Sequence, residues 1–291
     1  MGTVSTSSSD PDRSARLVLR RLRSPEDLDA CVELQKLVWG EGFADLTPPA
    51  LLRIAEEVGG VSAGAFGPDG RLEGFVFGIS GLRDGVPAHW SHMMAVRPES
   101  RGRGLGIRLK AHQRRVLLER GIGTAFWTYD PLVARNAHLN VVRLGALPVE
   151  YKRDYYGSGD DSALSAGIGT DRFVVRWDLA SDRVERALAG EAPEPAEEEV
   201  QAPILEDLAE DAPPAFRVEI PGDVQAVRDA DPERAAAWRA STRRALEPAL
   251  ARGYRVASVL RTGEGSGAAV RERFFYLLTR PGDRSRSGPC P

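Results

Sequence analysis

Apolar positions along this chain alternate between two spacings, every second residue and every third to fourth, and the changes between them lay out its elements. From Arg16 to Leu22 apolar and basic residues alternate, as in a half-buried strand. Ser24-Pro25-Glu26-Asp27 follows as a helix start, with Ser24 as N-cap, proline in the first turn and Asp27 in the capping-box position, and the helix runs to about Trp39. Thr47-Pro48-Pro49 opens a second helix, which Gly59-Gly60 ends. Val61 to Phe66 and Leu72 to Ile79 flank Pro68-Asp69-Gly70 as a hairpin, and His89 to Val96 is the next strand. A glycine-rich turn then leads into a helix with Leu105, Leu109 and Val116 on one face. Ala125 to Tyr129 reads as a strand, Asp130-Pro131 as the cap of a helix through Leu144 stopped by Gly145, and Val149 to Tyr151 as the centre of another strand. The order is β-α-α-β-β-β-α-β-α-β, and Thr170 to Asp178 could add one strand more.

The pattern changes after residue 180. Residues 181–213 hold many Ala, Pro and Glu, including Glu197-Glu198-Glu199, with little apolar periodicity, and read as a solvated acidic linker. Phe216 to Ile220 resumes as a strand, Asp231-Pro232 caps a long helix to Arg252 with Gly253 as stop, and Tyr254 to Leu260 and Phe274 to Leu278 are two strands. This β-α-β-β piece is small for an independent core and is expected to pack on the first domain. The implied division is a polar tail over 1–14, a first domain over 15–180, the linker over 181–213, a C-terminal α/β module over 214–281 and a tail over 282–291.

Composition adds boundaries. A chain of 291 residues admits one large or two modest domains, and 42% hydrophobic content supports real cores. Cys31 and Cys290 lie far apart, so neither a disulfide framework nor a cysteine metal site is implied. The Ser/Thr-rich start lacks the apolar run of a secretory signal, and no apolar stretch approaches the roughly 18 residues of a membrane span. The chain reads as soluble and cytoplasmic.

The most informative stretch is Val96-Arg97-Pro98-Glu99-Ser100-Arg101-Gly102-Arg103-Gly104-Leu105-Gly106. It leaves an apolar strand, turns through three glycines and opens a helix, which directs backbone N–H groups into a concavity suited to an anion such as a pyrophosphate. From Arg97 to Arg115 seven Lys/Arg stand against one Glu, in a chain of net charge −3. The positive charge is local and points to a phosphate-bearing partner. No Gly-Lys-Ser/Thr follows, so this is not a Walker A loop, and its glycine spacing does not fit a dinucleotide fingerprint.

Val96-x-Pro98 followed by Arg101-x-x-Gly104-x-Gly106 resembles the acyl-CoA-binding motif of the GNAT family, the GCN5-related N-acetyltransferases. The likeness covers roughly residues 15–155 and also includes the element order. It implies an α/β fold with a GNAT-like mixed central sheet flanked by helices, extended here by the small C-terminal module. It implies acetyl-CoA or another acyl-CoA as co-substrate and no metal. The Arg101, Gly102, Arg103, Gly104, Leu105 and Gly106 turn would hold the pyrophosphate, while Met94, Ala95 and Val96 would pair with the pantetheine arm beside a splay from the next strand. Trp127-Thr128-Tyr129-Asp130-Pro131-Leu132, Ala134 to Asn140, Arg143 to Ala146 and Tyr155-Tyr156-Gly157 look like a GNAT subgroup with members linked to acylation of small amines, including N-succinylation of amino acids.

The chain departs from the family at one helix. The family pattern Asn-x-x-Ala-x-x-x-Tyr-x-x-x-Gly-Phe puts Val141 where the usual thiolate acid stands. Asn136, Asn140 and Arg143 instead form a polar stripe that could reach the cofactor, or be solvated. For catalysis His92 is the candidate base and Tyr155, or its neighbour Tyr156, the candidate acid; core packing is the structural alternative for each. Asp130 is a second catalytic candidate and equally a helix cap. His89 and His92 are three apart on a strand and face opposite sides, which disfavours a shared metal. Trp238, Arg239, Arg243 and Arg244 could meet an acceptor carboxylate or form a solvated basic face.

Three functions remain open. The first is an acyl-CoA N-acyltransferase for a small-molecule amine, as a monomer or homodimer. The second is a catalytically degenerate CoA-binding regulatory or scaffold protein. The third, nucleic-acid binding through the basic stretch, is opposed by the overall acidity and the lack of interleaved aromatics, so neither nucleic acid nor membrane is an expected partner.

Overall fold

Asp27 N–H donates to Ser24 Oγ (3.2 Å) while the Asp27 carboxylate accepts from Ser24 N–H (3.4 Å), a closed capping box that starts α1 (Pro25–Trp39). The computed structural model describes residues 17–157, 168–264 and 271–280, so the tails read at 1–14 and 282–291 lie outside the described residues. The chain divides into two units, Met1–Gly123 and Thr124–Pro291.

In the first unit β1 (Val18–Arg21), β2 (Val61–Phe66), β3 (Leu72–Arg83) and β4 (Val86–Val96) form an antiparallel array in that order. Leu28 and Leu34 of α1 and Leu52 of α2 (Pro49–Glu57) pack on Phe75, Phe77 and Met93 of the sheet. A third helix, α3 (Leu105–Glu119), buries Leu105, Leu109 and Val116, as the periodicity requires. The β3–β4 hairpin is longer than the pattern suggested. Asp84 and Gly85 both take positive φ (53° and 78°), the two-residue turn whose twist suits a hairpin, and pairing runs to Arg83↔Val86. Within β4 the register passes from Gly78↔Ser91 to Phe77↔Met93, so His92 is the extra residue of a β-bulge.

The second unit holds two antiparallel sheets. The first comprises β5 (Thr124–Tyr129), β6 (Leu147–Lys152) and β7 (Arg172–Asp178) in the order β5-β7-β6, so the strand read only as an addition is the central one of the three. Trp127 and Trp177 meet edge to face at 5.6 Å in its core. The other sheet comprises β8 (Ala215–Ile220), β9 (Arg255–Glu264) and β10 (Arg271–Thr279) in the order β8-β10-β9. Tyr276 on β10 lies edge-on to Phe173 at 5.5 Å and donates its hydroxyl to Pro131 O (2.9 Å), tying the two sheets into one core.

Three expectations need correction. The helix after β5 begins at Ala134, not at Asp130-Pro131: α4 (Ala134–His138) continues as a π-type turn over Leu139–Arg143, and its N-cap position, Val133, offers no side-chain cap. The linker is not simply solvated chain. Ser181 caps α5 (Asp182–Ala189), Gly190 ends it in the left-handed region, and the helix buries Val184 and Ala187. It approaches so closely that a Cβ on Gly145 (φ 67°) would lie 2.9 Å from Arg183 O and 3.1 Å from Ala187 Cβ. A short α6 (Glu197–Val200) follows. The C-terminal module is β-α-α-β-β, because Asp223 caps an additional α7 (Val224–Ala230) before Asp231 restarts the chain as α8 (Pro232–Ala251). The C-terminal elements pack with β5–β7 within the second unit, where Arg183 donates to Ala257 O (3.1 Å). Among the described residues no helix is long and apolar enough to cross a membrane.

Candidate functional site

β4 ends at Val96 and the chain passes through a 3-10 turn, Pro98–Ser100, before α3. Arg97 N–H donates to Glu73 O (2.9 Å), Ser100 Oγ to the Glu73 carboxylate (2.7 Å), and Arg101 Nε back to Val96 O (3.1 Å), so the start of the turn is anchored to β3 and β4. Gly102 and Gly104 carry φ of 77° and 72°, and a Cβ at either would meet nothing within 4 Å. These two glycines are therefore required by backbone conformation, and the space around them is open. Gly104 is the N-cap of α3 and makes no side-chain cap, and no acidic residue occupies the first helical turn. The outer N–H groups of a 15-residue helix thus lack a side-chain cap beside two exposed arginines, Arg101 and Arg103. Leu105 points the other way: its side chain is buried, leaving only its backbone available to a ligand. Met94 and Val96 are half-buried and Ala95 is buried, all in register with β3.

The bulge turns His92 outward, with its ring exposed and set edge-on to Phe77 at 6.0 Å. Crowding by neighbouring atoms lowers its pKa, against the pull of Asp45. His89 lies fully buried on the opposite face. It belongs to a polar chain that sequence reading did not anticipate. Lys110 Nζ donates to Ser91 Oγ (2.7 Å) and Gln113 Oε1 (3.2 Å), and Ser91 Oγ donates to the same Gln113 oxygen (3.0 Å). With its oxygen so engaged, Gln113 must turn its amide Nε2 toward His89 Nε2 (3.0 Å), leaving Nδ1–H to donate to Ser80 Oγ (3.0 Å) and Ser80 to Gly59 O (2.8 Å). Every partner selects the neutral imidazole. Burial, then the charges of Lys110 and Arg120, bring the His89 pKa down to about 3, and burial brings Lys110 down to about 7. A faint signal did exist: Lys110 and Gln113 fall within the buried stripe of α3 formed by Leu105, Leu109, Val116 and Leu117.

In the second unit Asp130 serves a different purpose from either sequence reading. Its Oδ1 accepts from Leu132 N–H (2.8 Å), and Arg239 from α8 grips both oxygens (2.9 and 2.7 Å), with Arg172 at 3.7 Å. Arg239 is only 3% exposed, so it is not part of a solvated basic face. Next to it Asp171, fully buried, accepts from Tyr151 OH (2.5 Å), Asp154 N–H (3.1 Å) and Arg243 (2.6 Å). Burial alone would raise the Asp171 pKa, but Arg243 and Tyr151 hold it below the usual carboxylate range.

Tyr155 and Tyr156 are exposed and meet edge to face at 4.9 Å; Tyr156 OH shares a hydrogen bond with Thr128 Oγ1 (3.1 Å), and Arg172 lies over its ring. The asparagine stripe divides. Asn136 is half-buried, whereas Asn140 is buried with its Oδ1 accepting from Trp127 Nε1 (2.9 Å) and its Nδ2 donating to Asn136 O (2.8 Å), so Asn140 braces the core. Val141 is buried.

No family model and no curated protein matches the chain. Solved structures do match at low identity. A ribosomal-protein-alanine N-acetyltransferase from Escherichia coli is 17% identical over 57% of this chain and 95% of its own, with a TM-score of 0.44. A GNAT-family acetyltransferase from Streptococcus pneumoniae is 15% identical over 55% and 98%, with a TM-score of 0.44. A putative acetyltransferase from Salmonella typhimurium, solved with acetyl-CoA, is 14% identical over 62% and 98%, with a TM-score of 0.45.

Two outcomes follow from the buried groups. The folded-state pKa of His89 lies below the ordinary value of 6.5, so as pH falls the unfolded chain takes up the proton first and stability declines from pH 6.5 down to about 3. Between pH 6.5 and 5 the loss is about 2 kcal/mol. His89→Gln, which keeps a donor and an acceptor but cannot be protonated, flattens the stability–pH curve by that amount in urea unfolding. Arg239→Met takes away the bidentate partner of the Asp130 carboxylate, leaving it Arg172 at 3.7 Å, and costs about 3–5 kcal/mol by the same measurement, whereas the double change Asp130→Leu with Arg239→Met recovers a large part of it.

Proposed function

We propose that the chain is an acyl-CoA-dependent N-acyltransferase of the GNAT type, moving an acetyl or succinyl group to the amine of a small molecule, with amino acids the first acceptors to test. The observation that carries this reading is the strand–turn–helix from Val96 to Leu105, with its left-handed Gly102 and Gly104, the α3 N-terminus lacking a side-chain cap, and Arg101 and Arg103 standing in solvent. A diphosphate fits such a place because its charge meets helix N–H groups and mobile guanidiniums while nothing occupies the space above the glycines. The residues 15–180 are read as the acyl-CoA-binding part of the chain.

In the reaction the amine nitrogen attacks the thioester carbonyl carbon, the C–S bond breaks, and amide and CoA leave. The β4 backbone at Met94, Ala95 and Val96 orients the pantetheine arm. His92, presented by the bulge with a pKa below its ordinary value, is a neutral base at physiological pH and takes the amine proton. Both Asp130 oxygens are engaged by Arg239 and Leu132, which argues against Asp130 as the base. Tyr155, with an exposed side chain after β6, remains the candidate proton donor to the thiolate. Positioning supplies the remainder of the acceleration.

One observation favours a second reading, a CoA-binding protein without transferase activity: Val141, where the family resemblance puts the acid tyrosine, is a core residue. Thiol titration with acetyl-CoA and succinyl-CoA against amino acids and polyamines separates the two. Amine-dependent CoA release supports the transferase. Binding by calorimetry without release supports the second reading, and neither release nor binding sinks both.

Two variants sharpen the test. Arg103→Gln weakens acyl-CoA binding about tenfold, the size of one charge-assisted hydrogen bond, with an unchanged melting temperature. His92→Ala lowers kcat about a hundredfold or more with little change in the acyl-CoA KM; a kcat that stays near the wild-type value removes His92 from the chemistry.

A further inference from the structure

One face of α8 forms a recess with Arg153, Asp154, Ile168 and Gly169. Ala236 and Ala240, one turn apart and both exposed, make its floor, and Arg153, Arg239, Arg243 and Arg244 make its walls, around about 430 Å3. The hydrogen bonds of these arginines divide in a consistent way. Arg239 is fully engaged: Nε donates to Ile168 O (3.0 Å), and both Nη atoms bind Asp130. Arg243 commits Nε and Nη2 to Asp171 and Asp154, Arg153 commits Nε and Nη2 to Glu247, and Arg244 commits Nε to Asp207. Among the described residues that leaves Nη1 of Arg243, Nη1 of Arg153 and both Nη atoms of Arg244 without a hydrogen-bond partner.

The acceptors are fewer. Asp154, the acid that lines the recess, accepts from Arg243 and from Thr170 N–H (3.3 Å) at Oδ1, so among the described residues its Oδ2 is the carboxylate oxygen left open there, and Asp171 is fully buried. The recess therefore presents more donors than acceptors. Arg239 and Arg243 are fixed by Asp130 and Asp171, while Arg153 and Arg244 stand at the exposed rim in pairs with Glu247 and Asp207. Planar guanidinium forks suit the oxygens of a carboxylate or a phosphate.

We propose that this recess is a binding site for a small oxyanion, a carboxylate or phosphate group carried by a small molecule. The site lies wholly within the second unit and stands independently of the acyl-CoA reading.

The test is isothermal titration of the full chain with sodium succinate and, separately, with inorganic phosphate. Saturable binding is expected, weakened about tenfold or more by Arg244→Gln and by Arg153→Gln, both of which remove exposed side chains and spare the buried pairs. Ala240→Leu, which fills the floor without changing charge, abolishes it, while Arg176→Gln, an exposed arginine on β7, leaves it unchanged. Tighter binding of succinate assigns a carboxylate ligand, and tighter binding of phosphate a phosphoryl one. Failure of both probes to saturate overturns the proposal, as does binding that is indifferent to Arg153→Gln, Arg244→Gln and Ala240→Leu.

Discussion

A guanidinium removed from water needs a carboxylate in its place, and in the second unit that requirement governs where α8 can lie. Arg239 reaches the end of β5 and closes on Asp130, while one turn later Arg243 closes on Asp171. A pair of this kind contributes little net stability, because desolvation offsets much of the attraction, but an unpaired member is costly. The result is a strong selection of one arrangement over its neighbours. With α8 held there, Asp130, Asp154 and Asp171 are held too, and the remaining arginines line a recess.

The first unit meets the same constraint in a milder form. Lys110 and His89 are buried in a chain of hydrogen bonds that leaves no ambiguity about which atom donates to which. That chain passes through Ser91, the residue before the bulge, and through α3, the helix that follows the glycine turn. Polar cross-linking beneath the strand and helix complements an upper surface where backbone groups are left open.

Elements with local causes were legible in the chain. The Ser24–Asp27 box, the apolar stripe of α3 and the Asp231 cap of α8 each depend on residues within a turn or two of one another. The glycine turn is of the same type, since a left-handed residue is a local demand. Some local signals were passed over: Asp84-Gly85 at the β3–β4 tip, and Ser181 with Gly190 around α5, the latter masked by the Ala/Glu composition of its segment. Asp130 was misread for a deeper reason. Asp-Pro is a sound helix start on its own, and only Arg239, 109 positions further along, makes the carboxylate serve another partner.

What the sequence by itself determined was most of the helices and strands, α5, α6 and α7 excepted, and a glycine turn at Arg101–Gly106 that opens a helix, because short-range sterics and capping act between near neighbours. What only the tertiary structure decided was the central position of β7 and the fate of each polar side chain. Asn140 turned inward to Trp127, His92 was turned outward by a bulge, and Lys110 was buried among serine, glutamine and histidine. These outcomes depend on which distant groups arrive beside a residue, and a side chain's own chemistry does not say which of its eligible partners will be there.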